Sequence, residues 1–559
     1  MNWRFRFILG LITLSFFVVI ARLFYWQVVK AQELSTMGQL QYGKVVTTLS
    51  KRGEIKTSDG FPIAANKITY RVFANPKEVK DLKETAELIS TTLGIDHASV
   101  SANLSLDRFW ISIATEVEPK AKNDLKKLGL QGVGFEEQYT RFYPEASMAA
   151  HLIGFVGKDD LSRPKGYFGL EGYYDLLLKG REGKAIQIHD AFGRPILAKL
   201  GDLEKQIDGS DLLLSLDRSA QFLVEKRLKE GVEKFGAQSG MAAVINPKTG
   251  EILAMSSFPN FNPENYEDSP DSVYKNPFIS DLYEPGSTFK PLVMSSALDL
   301  KLITPQTKCS ACAGPVSVSG YDIHTWNDKY YKDINMIDVI MHSDNTGMVF
   351  VAQKLGVSGM IKYLKRFGIG DLTGIDLQGE ISPTIKSENL WYPVDLATTG
   401  FGQGISITPI ELLSATSAIA NKGERMQPHI IIGIKNPDGS TVKIQPKSLG
   451  NPISPETAKV MTEIMVNAVD KGEASWARLK EYRIAGKTGT ASIPIAGHYD
   501  QTKTIASFIG FAPANNPKFA MLVILNRPTS SIYGAETAAP IFFDIAKDLL
   551  IYYGIPPGE

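Results

Sequence analysis

One stretch near the N-terminus sets the terms for the rest of the chain. Arg4 and Arg6 precede an uncharged run over residues 7–21, Arg22 interrupts it, and apolar character resumes over 23–29. Counted together, 7–29 is 23 residues, or about 34 Å of helix at ~1.5 Å each, enough to cross a hydrocarbon core of ~30 Å. Arg22 lies near the far end, where its side chain can reach the interface, and Tyr25 and Trp26 suit that interface chemically. A cleaved signal peptide needs a small-x-small site after the run, but the chain continues Trp26-Gln27-Val28-Val29-Lys30. A buried helix is the other alternative. The expectation is an uncleaved signal anchor with its N-terminus inside and the remaining ~530 residues outside, although Arg22 and Lys30 weaken the charge asymmetry.

No later segment has a comparable apolar length, and there are no repeats or low-complexity tracts. At ~150 residues per domain, 559 residues allow three or four domains, or fewer larger ones. A hydrophobic fraction of 43% with 21% charged residues is globular and too apolar for disorder. Mean hydropathy of -0.07 excludes a polytopic membrane protein. Sixty basic against sixty acidic residues, net +0, gives no support to nucleic-acid binding. Two cysteines exclude a disulfide framework.

Between residues 32 and 203 the chain mixes short strands and polar helices. Leu82, Ala86, Ile89 and Leu93 have helical spacing, and Glu118-Pro119 starts a second helix over 120–128. Dense glycines predict mostly turns over 154–193. The texture changes near Asp208-Gly209. A strand is expected at 212–216, a helix at 219–235, and a hairpin of 241–245 and 252–255 joined by Asn246-Pro247-Lys248-Thr249-Gly250. Strands return at 505–511 and 519–525, and a last helix covers 538–552. Early strands, a helical middle and late strands predict one sheet with helices packed on it.

Three short motifs follow one another in this second part. Ser287-Thr288-Phe289-Lys290 comes after Glu284-Pro285-Gly286 and opens an apolar helical pattern. Lys290 is thus one turn from Ser287 on the same face. A serine hydroxyl needs a base within hydrogen-bond reach, and a lysine amine serves if burial and nearby cations lower its pKa. Ser343-Asp344-Asn345 lies 56 residues later, linking apolar runs at 334–341 and 348–355. Lys487-Thr488-Gly489-Thr490 lies 144 residues further on, at an expected strand edge. Each pattern alone is weak. Ser162-x-x-Lys165, Ser272-x-x-Lys275 and Ser440-x-x-Lys443 match the first, Ser101-x-Asn103 and Ser387-x-Asn389 the second, and Lys248-Thr249-Gly250 the third. Context and order select Ser287, Ser343 and Lys487.

The ordered triple resembles the penicilloyl serine transferases, and over most of the chain the resemblance is to the class B penicillin-binding proteins. Arg52-Gly53-Glu54-Ile55 with Asp59-Gly60-Phe61-Pro62-Ile63-Ala64 looks like the family's first pedestal motif. Arg141-Phe142-Tyr143-Pro144 with residues 149–157 looks like the second, and Gly169-Leu170-Glu171 with Tyr174, followed by Gly193-Arg194, like the third. Gly400-Phe401-Gly402-Gln403-Gly404 with Thr408-Pro409 is similar to a stretch lining the family's active site. Thr57-Ser58, in place of the usual Asp-Arg pair, and Asp344, in place of Ser, are departures.

The resemblance implies an α/β (α+β) transpeptidase domain over 206–559, built on a mainly antiparallel five-stranded sheet with helices on both faces. It also implies an elongated α+β pedestal domain over 31–205, after the anchor at 1–30. By position, Ser287 would form an acyl-enzyme, Lys290 would deprotonate it, Ser343 would relay the proton and Asn345 would bind the donor amide. Lys487 would set the field of the cleft, Thr488 and Thr490 would bind the substrate carboxylate beside Gly489, and the N–H groups of Ser287 and Thr490 would form an oxyanion hole. The implied reaction is peptidoglycan D,D-transpeptidation from a D-Ala-D-Ala stem peptide, in division or elongation, with β-lactams as inhibitors. A membrane glycan polymerase is the implied partner; no cofactor or metal is called for.

Other readings stay open at this point. Cys309-x-x-Cys312, with His324 twelve residues beyond, allows a local disulfide, a zinc site or two free thiols, the first being favoured outside the cytosol. A Ser-His-Asp hydrolase lacks Gly-x-Ser-x-Gly and a triad context for its histidines. A D,D-carboxypeptidase, a β-lactamase and a non-enzymatic scaffold are the alternatives to the transpeptidase.

Overall fold

The structure, a computed structural model, describes residues 2–34, 37, 43–189, 195–495 and 498–558. Gly193 and Arg194, singled out above, lie outside the described residues. Contacts divide the chain into two units. The first comprises Met1–Gly53, Asn66–Thr140 and Lys179–Gly209; the second comprises Glu54–Ala65, Arg141–Leu178 and Ser210–Glu559.

The first unit begins with the Trp3–Phe24 helix, continued as a wider turn through Tyr25–Val29. The most apolar 18-residue window of Trp3–Val29 has a mean hydropathy of 2.4, and none of that window is buried by protein, so length and composition fit a membrane span. The Arg22 guanidinium lies 5.4 Å from the Trp26 ring, at the end expected to meet the interface. The expected helix forms over Leu82–Leu93 because its ends are marked. The Asp81 carboxylate accepts the N–H groups of Lys83 and Glu84, and Gly94 (φ 66°) stops it. The helix expected over 120–128 spans Pro119–Lys127. Ala86 and Ile89 face Val72, Ala74, Val100 and Ile111 in a small core. The Gly43–Thr48, Gly183–His189 and Pro195–Glu204 strands form an antiparallel sheet.

The second unit is organised by a five-stranded antiparallel sheet. Its order is Ile252–Phe258, Ser239–Ile245, Phe519–Asn526, His498–Ala512, Ala485–Ile495. Alternate residues of one strand enter different cores: Met241, Ala243 and Ile245 one, Ala242 and Val244 the other. Both faces are therefore covered, which is why these strands read as continuous apolar runs. The Arg218–Lys234 and Ala538–Tyr552 helices supply Val224, Leu228, Phe542 and Phe543 to one face. The Lys290–Asp299, Asn345–Phe367, Pro409–Ala420 and Pro455–Lys471 helices pack in the other core. This is the five-stranded, two-faced arrangement the resemblance implied.

The glycine-rich stretch after residue 154 departs from the expected turns. It holds a hairpin (Phe155–Lys158 with Pro164–Tyr167) and two short helices, Gly169–Tyr173 and Asp175–Leu178. Its glycines mark close approaches. A Cβ on Gly154 (φ 77°) would meet Phe168 O at 2.3 Å. Thr57, at the first departure, is fully buried and its hydroxyl donates to Asp59 Oδ1 at 2.5 Å.

Candidate active site

Ser287 does not sit in the regular helix. It lies in a 3-10 turn, Gly286–Phe289, and the helix starts at Lys290. Two other segments pin that turn. Gly286 N donates to Gly402 O at 2.9 Å, and Gly404 N donates to Glu284 Oε1 at 3.1 Å. The 400–404 stretch thus braces the turn from one side. On the other, a Cβ on Gly489 would meet Ser507 Oγ at 2.4 Å and Thr288 Cγ2 at 2.7 Å. Only a residue with no side chain lets the turn approach the Ala485–Ile495 strand this closely.

The second motif arrives on the link between the Met336–Met341 and Asn345–Phe367 helices. Ser343 has φ 56°, a left-handed conformation that aims its hydroxyl at Ser287. Ser343 Oγ donates to Ser287 Oγ at 2.9 Å. Asp344 caps the longer helix, accepting Gly347 N at 3.0 Å and Thr346 Oγ1 at 2.7 Å. Its role is to end one helix and start the next, which holds Ser343 in place.

Lys290 is completely buried. Its Nζ donates to Ser343 O at 2.7 Å, Asn345 Oδ1 at 2.8 Å and Ser343 Oγ at 3.3 Å. The hydrogen-bonded path from amine to nucleophile therefore runs through the Ser343 hydroxyl. Burial, then the Lys487 cation, push the Lys290 ammonium down to about 7, against the pull of Glu473 and Asp344. An amine so poised is neutral often enough near neutral pH to take a proton. The competing serine–lysine pairs, Ser162/Lys165, Ser272/Lys275 and Ser440/Lys443, are all exposed.

Lys487 is 3% exposed, and burial pushes it down while Glu473 pulls it up. Its Nζ donates to Thr488 Oγ1 at 2.7 Å and Thr488 O at 3.2 Å. Thr488 Oγ1 donates in turn to Glu473 Oε2 at 2.8 Å. In this structure the Thr488 proton faces Glu473. Thr490 Oγ1 accepts Gly534 N at 3.0 Å and keeps its own proton to donate. Asn345 Nδ2 donates to His324 O at 3.0 Å. Glu473 was missed in the sequence because a lone Glu between a helix end and a strand has no signature. Trp326 and Tyr533 meet edge to face at 5.5 Å.

The two cysteines are joined to each other, which settles their reading as a local disulfide. His151 is buried against Val273 O at 2.8 Å and Phe261, a structural position.

The sequence matches the Penicillin binding protein transpeptidase domain family over residues 240–547 and the Penicillin-binding Protein dimerisation domain family over 47–214. It is 33% identical over 561 residues to Stage V sporulation protein D of Bacillus subtilis, covering 99% of this chain and 86% of that one. It is 31% identical over 567 residues to Peptidoglycan D,D-transpeptidase FtsI of Escherichia coli K12, covering 100% and 93%. In fold it is similar to Penicillin Binding Protein 2X of Streptococcus thermophilus, with a TM-score of 0.77, 24% identity and coverage of 92% and 80%. Penicillin binding protein 3 of Mycobacterium tuberculosis complexed with aztreonam gives a TM-score of 0.72 at 25% identity, covering 92% and 98%. A serine–lysine–serine–lysine cluster on this fold, with both domain families in one chain, leads to one conclusion: the chain belongs to the class B penicillin-binding proteins.

Proposed function

We propose that this chain is a peptidoglycan D,D-transpeptidase that cross-links stem peptides in cell-wall synthesis through an acyl-enzyme on Ser287. The observation that carries the reading is the buried Lys290 amine joined through the Ser343 hydroxyl to the Ser287 hydroxyl. Ser287 Oγ attacks the carbonyl between the two D-Ala residues of the donor. Its proton passes through Ser343 to neutral Lys290, and the N–H groups of Ser287 and Thr490 receive the developing oxyanion. The proton returns by the same route to the departing D-Ala amine. The acceptor amine then attacks the Ser287 ester, the new peptide bond forms, and Ser287 recovers its proton. Asn345 orients the donor amide. Lys487 and the Thr490 hydroxyl hold the donor carboxylate beside Gly489, with Thr488 supporting Lys487.

β-Lactams, on this reading, acylate the same serine and leave slowly. Residues 1–30 serve as the anchor, 31–205 as the pedestal and 206–559 as the transpeptidase domain. The N-terminus lies on the cytoplasmic side and the catalytic domain outside the membrane. The partner is a membrane glycan polymerase, which supplies the strands to be joined. The test is trapping by a fluorescent penicillin, followed by product analysis with stem-peptide substrates. Slow release of label together with cross-linked dimer, both abolished by Ser287→Ala, is the expected outcome. Rapid hydrolysis would make the chain a carboxypeptidase or lactamase, and no labelling would make it a scaffold.

A further inference from the structure

One charged group beside the reaction centre has no part in the scheme above, on which this inference rests. Glu473 follows the Pro455–Lys471 helix. Its Oε2 accepts from Thr488 Oγ1 at 2.8 Å, and Thr488 Oγ1 accepts from Lys487 Nζ at 2.7 Å. The three residues line one small cavity with Met341, Gly486 and Phe508. We infer that Glu473 is a positioning residue: through Thr488 it holds Lys487 cationic and fixed on the strand, which leaves Lys290 as the neutral member of the two buried amines.

Two ammonium groups in one desolvated place repel, so their protons are shared out between them. The surroundings decide which amine keeps its proton. Lys290 donates only to neutral oxygens, those of Ser343 and Asn345. The charged groups acting on it are Lys487, Glu473 and Asp344. Asp344 sits at the cap of the Asn345–Phe367 helix, where its Oδ1 takes Gly347 N and Thr346 Oγ1. Lys487 has an ionised partner one hydroxyl away, and Glu473 is the charged group that opposes its loss of a proton. The Thr488 hydroxyl can accept from a cation and donate to an anion at once. Charge-assisted bonds on both sides of that hydroxyl favour a cationic Lys487 facing an anionic Glu473. The division of labour follows: the uncharged amine serves as base, and the charged one faces the carboxylate of the donor.

The experiment is the pH profile of acylation of the detergent-solubilised full chain by a fluorescent penicillin. The rate should rise as Lys290 loses its proton and fall at higher pH as Lys487 does. Glu473→Gln should move the alkaline limb to lower pH by about one unit, the shift that loss of a close opposite charge produces. Glu473→Asp, which keeps the charge, should return the limb toward its wild-type position. A structural role alone would lower the rate or the melting temperature and leave the limb in place, which overturns the inference. If Glu473→Gln does not fold, Thr488→Val cuts the bridge while sparing the carboxylate, and an unmoved limb there overturns it equally. Wild-type protein that takes no label at Ser287 would remove the underlying reading and this inference with it. A labelled wild type with an unmoved mutant limb removes this inference alone.

Discussion

Replacing Ser343 by Ala isolates the step on which the chemistry turns. The Ser343 hydroxyl is 2.9 Å from Ser287 Oγ and 3.3 Å from Lys290 Nζ, and it is the hydrogen-bonded link between them. The other bonds of the Lys290 amine go to Ser343 O at 2.7 Å and Asn345 Oδ1 at 2.8 Å. Neither involves the Ser343 side chain, so the base stays in place when the hydroxyl is removed. What is lost is the proton path alone. General-base assistance is worth about 10²–10⁴ in rate, or roughly 3–5 kcal/mol of barrier. Ser343→Ala should therefore slow acylation by a fluorescent penicillin by about 10²–10⁴, falling at the lower end if a water fills the space of the hydroxyl. Second-order acylation rates measured by rapid quench and gel fluorescence provide the number. Ser343→Gly adds an internal control. The left-handed backbone at 343 is unfavourable for a side chain by about 1 kcal/mol, so this variant should lose the same rate without losing thermal stability. An acylation rate for Ser343→Ala within about threefold of wild type, well short of the range expected for losing a base, would show that Lys290 reaches Ser287 by itself and would refute the relay.

Three further outcomes follow from other parts of the second unit. Arg141 Nε and Glu171 Oε1 form a buried ion pair at 2.6 Å, so Arg141→Leu removes one member of that pair and should lower unfolding stability by about 1–3 kcal/mol in thermal melts. Gly489→Ala puts a Cβ against Ser507 and Thr288. It should cut acylation at least tenfold while the melting temperature changes little, since the strand shifts from the Ser287 turn rather than unfolding. His151 is pushed down to about 4 by burial, opposed by Val273 O. Below pH ~6.5 the unfolded chain takes up a proton that the folded chain refuses until pH falls to about 4. The neutral form's stability is therefore present above ~6.5 and lost on acidification, by about 3 kcal/mol in all. His151→Gln should flatten that part of the stability–pH curve, and an unchanged slope would dismiss the assignment.

Legibility in the sequence tracked how local each cause was. Leu82–Leu93 and Ala538–Tyr552 were readable to the residue because spacing, and for the first also its caps, lie within the element itself. The 241–245 and 252–255 hairpin was readable because its turn residues sit between two apolar runs. Residues 155–178 read as turns because distant partners hold their short elements. Phe168 N, for example, donates to Gln378 Oε1, 210 positions away. Ser287 could be chosen over Ser162, Ser272 and Ser440 because an apolar pattern follows it, and that same pattern buries Lys290. Glu473 could not be found this way. Its importance arises only where the end of one helix meets Thr488, and no spacing in the chain encodes that meeting.

The burial of the Lys487 cation has a bearing on what the proposed reaction accepts. A positive charge held in so dry a place, beside an amine that serves as base, favours an anion in the cleft. On the proposed reading, a peptide ending in a free carboxylate gains affinity both from the atoms it touches and from the charge it neutralises. The same peptide blocked by an amide or ester must enter against an uncancelled field, so selection at the donor's end begins before any bond is broken.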